Sequence, residues 1–308
     1  MCRAVVILGP TAVGKSEVGL VLAELWGGEI VSADALQAYR GLDVGTAKPT
    51  VEERRRVRHH LLDFLEPEEP YSAGRFAELA RRAIGEIAAQ GVVPLVVGGS
   101  GLYLRALLGG LAAIPEVPAE VRRRLEGRLA GEGLAALRAE LERVDPVAAA
   151  RFSDGDPQRT LRALEVFEAT GRPLSRWWEE TGEPPLAADV IGLTLPRALL
   201  YDRIAGRVRR MLEGGWTEEV ERLLRSGLSA DCPAFQAIGY RELVRHARGE
   251  WSLEETVEVI VRRTRQYAKR QMTWFRRMPD VVWIREVDLD DRVASIRRVL
   301  PNRFAGAR

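Results

Sequence analysis

Two residue types are nearly missing from this chain of 308 residues. Cysteine occurs only at Cys2 and Cys232, neither of them in a CxxC or a Cys/His cluster, so a disulfide framework and a zinc site are both disfavoured. Lysine occurs only at Lys15, Lys48 and Lys269, and arginine supplies the remaining basic residues. Such a bias is typical of a GC-rich genome. The positions that keep lysine are therefore candidates for places where a compact ammonium and a forked guanidinium are not interchangeable.

Long apolar runs and a strong net charge are missing as well. No stretch approaches the roughly 18 apolar residues of a membrane span, and the apolar run before Gly9 has no cleavage-site pattern after it. The formal net charge is only +2, with 46% hydrophobic and 29% charged residues. That composition excludes a disordered chain and a collagen-like fibre. We expect a soluble, reduced, cytoplasmic protein with a substantial core and no membrane partner.

Apolar runs alternate with helical patterns in the first part of the chain. An uninterrupted apolar run, which is typical of a strand buried on both faces, occupies residues 4–8, and further short strand-like runs occupy residues 29–33, 61–65 and 92–97. Helical patterns cover residues 16–25 and 72–90. This alternation predicts an α/β fold with a doubly wound parallel sheet. The pattern G-x-x-x-x-G-K-[ST] at residues 9–16, a P-loop, makes the predicted sheet P-loop NTPase-like. Its functional edge should lie where the strands end.

The pattern changes near residue 115. From there to about residue 185 only helical periodicity is found, punctuated by proline and glycine. A strand pattern at residues 189–195, further helices and a short apolar run at residues 281–284 follow. We therefore expect an all-helical subdomain, residues 115–186, inserted into a P-loop core domain made of residues 1–114 and 187–308.

Residues 9–16 match the pattern G-x-x-x-x-G-K-[ST] directly after a predicted strand and before a predicted helix. Backbone N–H groups of such a loop and the helix N-terminus bind phosphate oxygens. Lys15 would add a point charge, and Ser16 a hydroxyl ligand for Mg²⁺. Asp34, which follows the second apolar run, has three interpretations: a carboxylate that holds Mg²⁺ through water, a general base, or a helix cap.

Several further segments, in order over nearly the whole chain, resemble the tRNA dimethylallyltransferase family of the bacterial type. The matching segments are the P-loop (residues 9–16) and residues 30–37, 39–49, 98–103, 156–159, 237–242, 266–271 and 274–276. The chain departs from the family at Ala35, where the family usually has a hydroxyl residue. It also departs at Ser100, where the family usually has threonine and where the hydroxyl is kept.

The resemblance implies an enzyme that moves a dimethylallyl group from dimethylallyl diphosphate to the exocyclic amine of the adenosine adjacent to the anticodon of tRNA, with release of diphosphate. It implies Asp34 as the base and Lys15, Ser16 and Ser100 as further catalytic residues. Residues implied to bind the diphosphate or a nucleotide such as ATP are Gly9, Pro10, Thr11, Ala12, Val13, Gly14, Lys15, Ser16 and Arg207, with Mg²⁺ on Ser16.

The resemblance also implies a tRNA partner, bound through its anticodon stem-loop by a monomer. Residues implied to contact it are Asp34, Ala35, Leu36, Gln37, Ser100, Gln158, Arg159, Thr160, Leu161, Arg162 and Lys269. Because a stacked adenine cannot present its amine to a walled site, the base would have to be extruded.

The C-terminal region carries local positive charge despite the small net charge. Residues 259–279 include seven basic residues and no acidic one. On a helix, one stripe would be core, namely Val257, Val261, Thr264, Ala268, Met272 and Phe275. A second stripe would be either a solvated face or a wall for RNA phosphates, namely Arg262, Arg265, Lys269 and Arg276.

Two other functions share the same P-loop core. One is a small-molecule kinase or an adenylate prenyltransferase, and the other is an RNA-binding module that is gated by a nucleotide and has no chemistry. An enzyme acting on free nucleotides has no use for the inserted helices or for a row of arginines. A salt-sensitive complex with tRNA would therefore separate the first alternative from the tRNA enzyme.

Overall fold

The computed structural model describes residues 3–110, 112, 114–180 and 184–300, so Cys2 lies outside the described residues. The chain divides into two compact units. The larger contains residues 1–108 and 186–308, and the smaller contains residues 109–185. The division into domains after residues 114 and 186 stays a prediction.

The larger unit is built on one sheet. The described residues form six strands, β1 (Ala4–Leu8), β2 (Glu29–Ala33), β3 (His59–His60), β4 (Pro94–Gly98), β5 (Ala188–Leu193) and β6 (Val281–Ile284). All neighbouring strands are parallel, in the order β3-β2-β4-β1-β5-β6. In the centre, Val6 of β1 lies between Val96 of β4 and Val190 of β5. The predicted α/β class with a parallel sheet is confirmed.

Helices surround this sheet and make up the smaller unit. Those of the first part are α1 (Lys15–Trp26), α2 (Val51–Arg56), α3 (Ala73–Ala89) and α4 (Gly101–Gly109). The smaller unit contains α5 (Ala119–Glu132), α6 (Leu134–Val144), α7 (Pro146–Arg151), α8 (Pro157–Thr170) and α9 (Leu174–Trp177). The last part contains α10 (Arg197–Glu213), α11 (Trp216–Arg225), α12 (Tyr240–Ala247), α13 (Leu253–Phe275) and α14 (Leu289–Val299), with a 3₁₀ turn at Pro233–Gln236. Among the described residues, no helix is both long and apolar enough to cross a membrane.

Both faces of the sheet are buried, which explains the uninterrupted apolar runs. Because side chains alternate along a strand, Val5 and Ile7 of β1 pack with α1, α10 and α14 on one face. Val6 and Leu8 pack with α3 and α4 on the other. The carboxyl ends of β1, β2 and β4 therefore meet at one edge, between two helical layers.

The strand predicted at residues 61–65 is wrong. The strand at that edge is the two-residue β3, and it ends where Leu61 and Asp63 adopt left-handed backbone angles, φ 62° and 53°. An extended strand cannot pass through such residues. The apolar character of the run comes from tertiary packing, since Leu65 is fully buried in a cluster with Tyr39 and Leu42.

The buried face of α13 also differs from the predicted one. Val257, Val261, Thr264 and Met272 are half-exposed, whereas the buried residues of the helix are Thr256, Ile260, Ala268, Gln271 and Phe275. Hydropathy misassigned this face because two of its members are polar. Thr256 is buried with its hydroxyl donating to the carbonyl of Ser252 (2.8 Å), and Gln271 is buried through the contacts described below.

The smaller unit has a core of its own. Leu125 of α5, Leu137 and Leu141 of α6 and Leu164 of α8 are fully buried in it. Two tryptophans, Trp177 and Trp178, pack against this cluster. Guanidinium groups of Arg172 and Arg151 lie 4.7 Å from the respective ring centroids.

Candidate active site

The loop between β1 and α1 has the backbone geometry of a phosphate cradle. Ala12 and Gly14 take left-handed angles, φ 62° and 100°, which turn successive peptide groups. A Cβ on Gly9 would lie 2.7 Å from the carbonyl oxygen of Leu193, so the loop passes too close to β5 for any other residue. The ammonium of Lys15 folds back across the loop and donates to the carbonyl of Pro10 (2.8 Å). The loop thus closes on its own lysine.

The surroundings of Lys15 disfavour the charged form of its ammonium. Burial and, to a smaller extent, the charge of Arg207 lower the pKa of its ammonium to about 7, although the charge of Asp34 acts in the opposite direction. Burial also lowers the pKa of Arg207, again against the charge of Asp34. An anion bound in the cleft would favour the charged form of both groups.

Three arginines of α10 line the same cleft as Lys15. Arg203, Arg207 and Arg210 are spaced four and three residues apart and so share one side of the helix. Throughout the part of the chain that the structure describes, no carboxylate oxygen lies within 4.0 Å of them. The cleft has a volume of about 1420 Å³. Sequence reasoning identified only Arg207, although the spacing alone would have found the other two.

Asp34 stands at the end of β2 and faces this cleft with Lys15 and Ser16. One carboxylate oxygen accepts a hydrogen bond from the N–H of Leu36 (2.9 Å). No helix starts between Asp34 and Val51, so the helix-cap interpretation is wrong. Asp34 closes a tight turn and keeps its carboxylate in the cleft.

The two departures from the family pattern are in contact with each other. The hydroxyl of Ser100 accepts from the N–H of Ala35 (3.3 Å), and the N–H of Ser100 donates to the carbonyl of Ala33 (3.4 Å). Ser100 therefore joins the ends of β2 and β4 beside Asp34. On the facing helix α13, burial and the charge of Asp34 raise the pKa of the Tyr267 hydroxyl to about 12, so this phenol stays neutral and able to donate.

Gln271 of α13 belongs to the family-like segment 266–271, but sequence reasoning did not identify it as a site residue. Its side-chain oxygen accepts from the N–H of Thr11 (2.9 Å), and its amide nitrogen donates to the carbonyl of Gly99 (2.7 Å). One buried amide thus joins the P-loop to the loop after β4. The available signal was a polar residue in the buried face of a helix, which is costly without partners.

The segment after Asp34 is held by side-chain bonds to backbone. Gln37 accepts from the hydroxyl of Ser32 (2.8 Å) and donates to the carbonyls of Thr46 (3.3 Å) and Ala47 (3.2 Å). The buried carboxylate of Glu219 accepts from three successive N–H groups, those of Asp43 (2.8 Å), Val44 (2.8 Å) and Gly45 (3.3 Å), and from the hydroxyl of Tyr240 (2.6 Å). Tyr240 of segment 237–242 therefore supports the carboxylate that holds the loop of segment 39–49 in place.

Lys48 fixes the other end of that loop. Its buried ammonium donates to the carbonyl of Tyr39 (2.7 Å) and to the carboxylates of Asp43 (2.6 Å) and Asp63 (2.5 Å). All three donors are used. Partial burial acts to raise the pKa of Asp63, but the bonds from Lys48 and Arg54 prevail and lower it.

The remaining predicted residues are distributed over three places. Gly9, Pro10 and Val13 are buried beneath the cleft. Lys269 is exposed in a second cleft of about 630 Å³, which is lined by Arg197, Tyr201, Val257, Glu258, Val261, Arg262, Arg265, Gln266 and Lys269. The five residues 158–162 begin α8 of the smaller unit, where Gln158, Arg159 and Arg162 are exposed while Thr160 and Leu161 are buried.

The described residues contain no group of three or more His, Cys, Asp or Glu side chains that could hold a metal ion by themselves. A magnesium ion in a phosphate site needs fewer, because substrate oxygens and waters complete its six ligands. Ser16 is exposed at the start of α1 and faces the cleft. Its hydroxyl fits that role.

Family models match most of the chain. The model described as IPP transferase matches residues 37–278, and the one described as isopentenyl transferase matches residues 2–69. Among curated relatives, the tRNA dimethylallyltransferase of Geobacter metallireducens is 49% identical over 95% of this chain and 96% of its own length. That of Thermomicrobium roseum is 49% identical over 91% of this chain and 85% of its own length.

Solved structures agree with these matches. The full-length tRNA isopentenylpyrophosphate transferase of Bacillus halodurans has a TM-score of 0.72 and 38% sequence identity, and the alignment covers 99% of this chain and 97% of that one. A eukaryotic dimethylallyltransferase acting on tRNA has a TM-score of 0.80 and 28% identity, with 97% and 78% of the two chains covered.

The lowered pKa of Lys15 predicts proton uptake when an anion binds. Since the bound anion favours the charged ammonium, affinity for inorganic diphosphate should fall above pH 7, by up to about tenfold per pH unit. Calorimetry at pH 8 in two buffers of different ionisation enthalpy measures the protons taken up. Repeating it with Lys15→Gln removes the contribution of the ligand's own titration. Equal uptake by both proteins would show that Lys15 does not titrate.

Lys48→Arg should destabilise the fold. A planar guanidinium cannot point its donors at all three oxygens around the Lys48 ammonium. If the buried carbonyl of Tyr39 is left unpaired, the cost is about 1–3 kcal/mol. Thermal and urea unfolding measure the loss. The matched variant Lys269→Arg changes an exposed lysine and should leave the free energy of unfolding unchanged. Equal stability of the two variants would contradict the role of Lys48.

Proposed function

The chain belongs to the tRNA dimethylallyltransferase family, and we propose how its residues carry out the reaction. The enzyme transfers a dimethylallyl group from dimethylallyl diphosphate to tRNA and releases diphosphate. We place the acceptor at the exocyclic amine of the adenosine adjacent to the anticodon. The observation that carries the proposal is a group of cations that faces the P-loop cleft, namely Lys15, Arg203, Arg207 and Arg210. Within the described residues, none of them has a carboxylate oxygen within 4.0 Å.

These cations suit a leaving group whose charge grows during the reaction. As the bond between the prenyl carbon and the diphosphate oxygen breaks, negative charge collects on the diphosphate. Lys15, the three arginines of α10 and the N–H groups of residues 9–16 then bind it more strongly than they bind the intact substrate. Interactions that strengthen in this way lower the barrier. In this proposal the P-loop holds a leaving group instead of a nucleoside triphosphate.

Asp34 suits the role of general base. The adenine amine is a weak nucleophile because its lone pair is delocalised into the ring, and it must lose a proton as the new N–C bond forms. The carboxylate of Asp34 faces the same cleft as the cations and would accept that proton. General-base catalysis of this kind contributes about 100-fold to 10,000-fold.

Magnesium is the proposed cofactor, held on the protein side by the hydroxyl of Ser16. When bound, it would neutralise part of the charge on the diphosphate oxygens. The chain's own contribution is to present Ser16 at the first turn of α1, next to Lys15.

The residues proposed to contact tRNA differ in what they offer. Asp34–Gln37 and Ser100 surround the acceptor position, and Gln37 is already oriented by its bonds to Ser32 and residues 46–47. Gln158, Arg159 and Arg162 offer exposed side chains, whereas Thr160 and Leu161 would act through the position of the helix. Lys269 offers charge to the RNA backbone. We also propose that the protein is cytoplasmic. We propose that it is a monomer, which gel filtration would test.

Asp34→Asn should separate chemistry from binding. The protein is incubated with unmodified tRNA, Mg²⁺ and dimethylallyl diphosphate, and mass spectrometry of the nucleosides follows the gain of one prenyl group on adenosine. We expect kcat to fall at least about 100-fold while affinity for inorganic diphosphate is kept. Asp280→Asn alters an exposed aspartate and serves as control. Lost diphosphate affinity would assign Asp34 to metal binding, and no prenyl transfer by the unchanged protein would refute the function itself.

Lys269→Gln tests the proposed contact with the RNA backbone. Removing one phosphate contact should weaken tRNA binding and reduce the slope of log K against log salt concentration by about one unit. Filter binding at several salt concentrations measures the slope. Arg297→Gln removes one exposed charge elsewhere and should keep it. A slope equal to that of the unchanged protein would place Lys269 outside the interface.

A further inference from the structure

Arg292 of α14 is buried against the P-loop although it lies 279 residues further along the chain than its partner there. Only 2% of the residue is exposed, and it is among the largest fully buried side chains of the protein. It does not line the cleft. Its role must therefore be explained through its neighbours.

Backbone carbonyls are the hydrogen-bond partners of this guanidinium. The Nη1 group donates to the carbonyl of Val13 (2.7 Å), Nε to that of Glu286 (2.7 Å), and Nη2 makes a long contact to that of Thr194 (3.5 Å). In the described part of the chain no carboxylate oxygen lies within 4.0 Å of it. One side chain thus joins the P-loop to the segments that follow β5 and β6.

A buried cation whose hydrogen-bond partners are peptide carbonyls, with no carboxylate in direct contact, is unfavourable by itself. Desolvation of a charge costs several kcal/mol and is offset best by an opposite charge. Burial lowers the pKa of Arg292 and the charge of Arg203 lowers it further, while the more distant carboxylates of Glu17, Glu286 and Asp288 offset this only in part. The position is therefore poorly explained as a device for fold stability alone. It becomes favourable when an anion occupies the P-loop.

The bond to Val13 has a direct consequence for the P-loop. In a trans peptide the C=O and the following N–H point in opposite directions. Because the carbonyl of Val13 points at Arg292, the N–H of Gly14 points away from it, and Gly14 lines the cleft. A Cβ on Gly14 would lie 2.9 Å from Nη1, so only glycine allows this approach.

We propose that Arg292 is a positioning residue for the diphosphate: it orients the peptide between Val13 and Gly14 so that its N–H faces the anion, and it places a positive charge behind the loop. Arg292 does not touch the substrate. The inference rests on the proposed function of the P-loop as a diphosphate site, and it extends that site to the last helix of the fold.

The experiment measures affinity for inorganic diphosphate by calorimetry in three variants of α14. Arg292→Met keeps the apolar volume. It should weaken diphosphate binding about tenfold, which is the effect of losing the one charge-assisted hydrogen bond from the N–H of Gly14 that Arg292 orients. Arg292→Lys keeps the charge and one donor, and should recover part of that loss. Arg297→Met removes an exposed charge from the same helix and should bind as the unchanged protein does.

A purely structural role is separated by two further measurements. Val293→Ala trims a buried neighbour in α14 that has no bond to the P-loop, and it should lower thermal stability while keeping diphosphate affinity. Affinity of Arg292→Met for tRNA should stay within twofold of the unchanged protein. The proposal is overturned if Arg292→Met keeps its diphosphate affinity, or loses tRNA and diphosphate affinity alike. No diphosphate binding by the unchanged protein would overturn the proposed function together with the inference.

Discussion

Repulsion among cations at one edge of the sheet is the constraint on which the rest of the structure depends. Lys15, Arg203, Arg207 and Arg210 face one cleft, and Arg292 lies behind it. No carboxylate oxygen of the described residues lies within 4.0 Å of these arginines. Like charges gathered in one cleft repel one another and oppose folding. They stay together because α1 and α10 are held by apolar packing on their other sides, through Leu22, Leu200 and Ile204. Burial of each such side chain contributes about 1.5–3 kcal/mol. The fold therefore holds unpaired positive charge, which the proposed diphosphate would neutralise.

Buried polar side chains bonded to backbone keep the loops around this cleft in place. Glu219 binds three N–H groups, Lys48 binds a carbonyl and two carboxylates, and Gln271 binds one group on each of two loops. A loop cannot use the ladders of a helix or sheet to satisfy its peptide groups, so side chains must do so. This explains why segments far from the cleft, such as residues 237–242, belong to the family pattern. They hold the loop that orients Gln37, and Gln37 lies next to the proposed base.

Local signals predicted one half of the site, and distance along the chain concealed the other. The P-loop, Asp34 and the strands β1 and β2 follow from short runs of sequence in which each residue reports on its neighbours. Gln271 and Arg292 meet the P-loop from 260 and 279 residues away, and no local pattern encodes those contacts. The strand predicted at residues 61–65 failed for a related reason. The apolar residue Leu65 packs in the tertiary cluster around Tyr39, while Leu61 and Asp63 take positive φ angles that a strand does not allow.

The scarcity of lysine can now be assessed residue by residue. Lys15 must cross a tight loop to reach the carbonyl of Pro10, and Lys48 points three donors at three oxygens on different segments. A tetrahedral ammonium meets both demands, whereas a planar fork meets neither. Lys269 is exposed, so the folded chain alone does not require an ammonium instead of a guanidinium at this position. If its presence is more than chance, the reason must lie in something that binds at the second cleft. The basic residues around it there, Arg197, Arg262 and Arg265, suit a phosphate backbone.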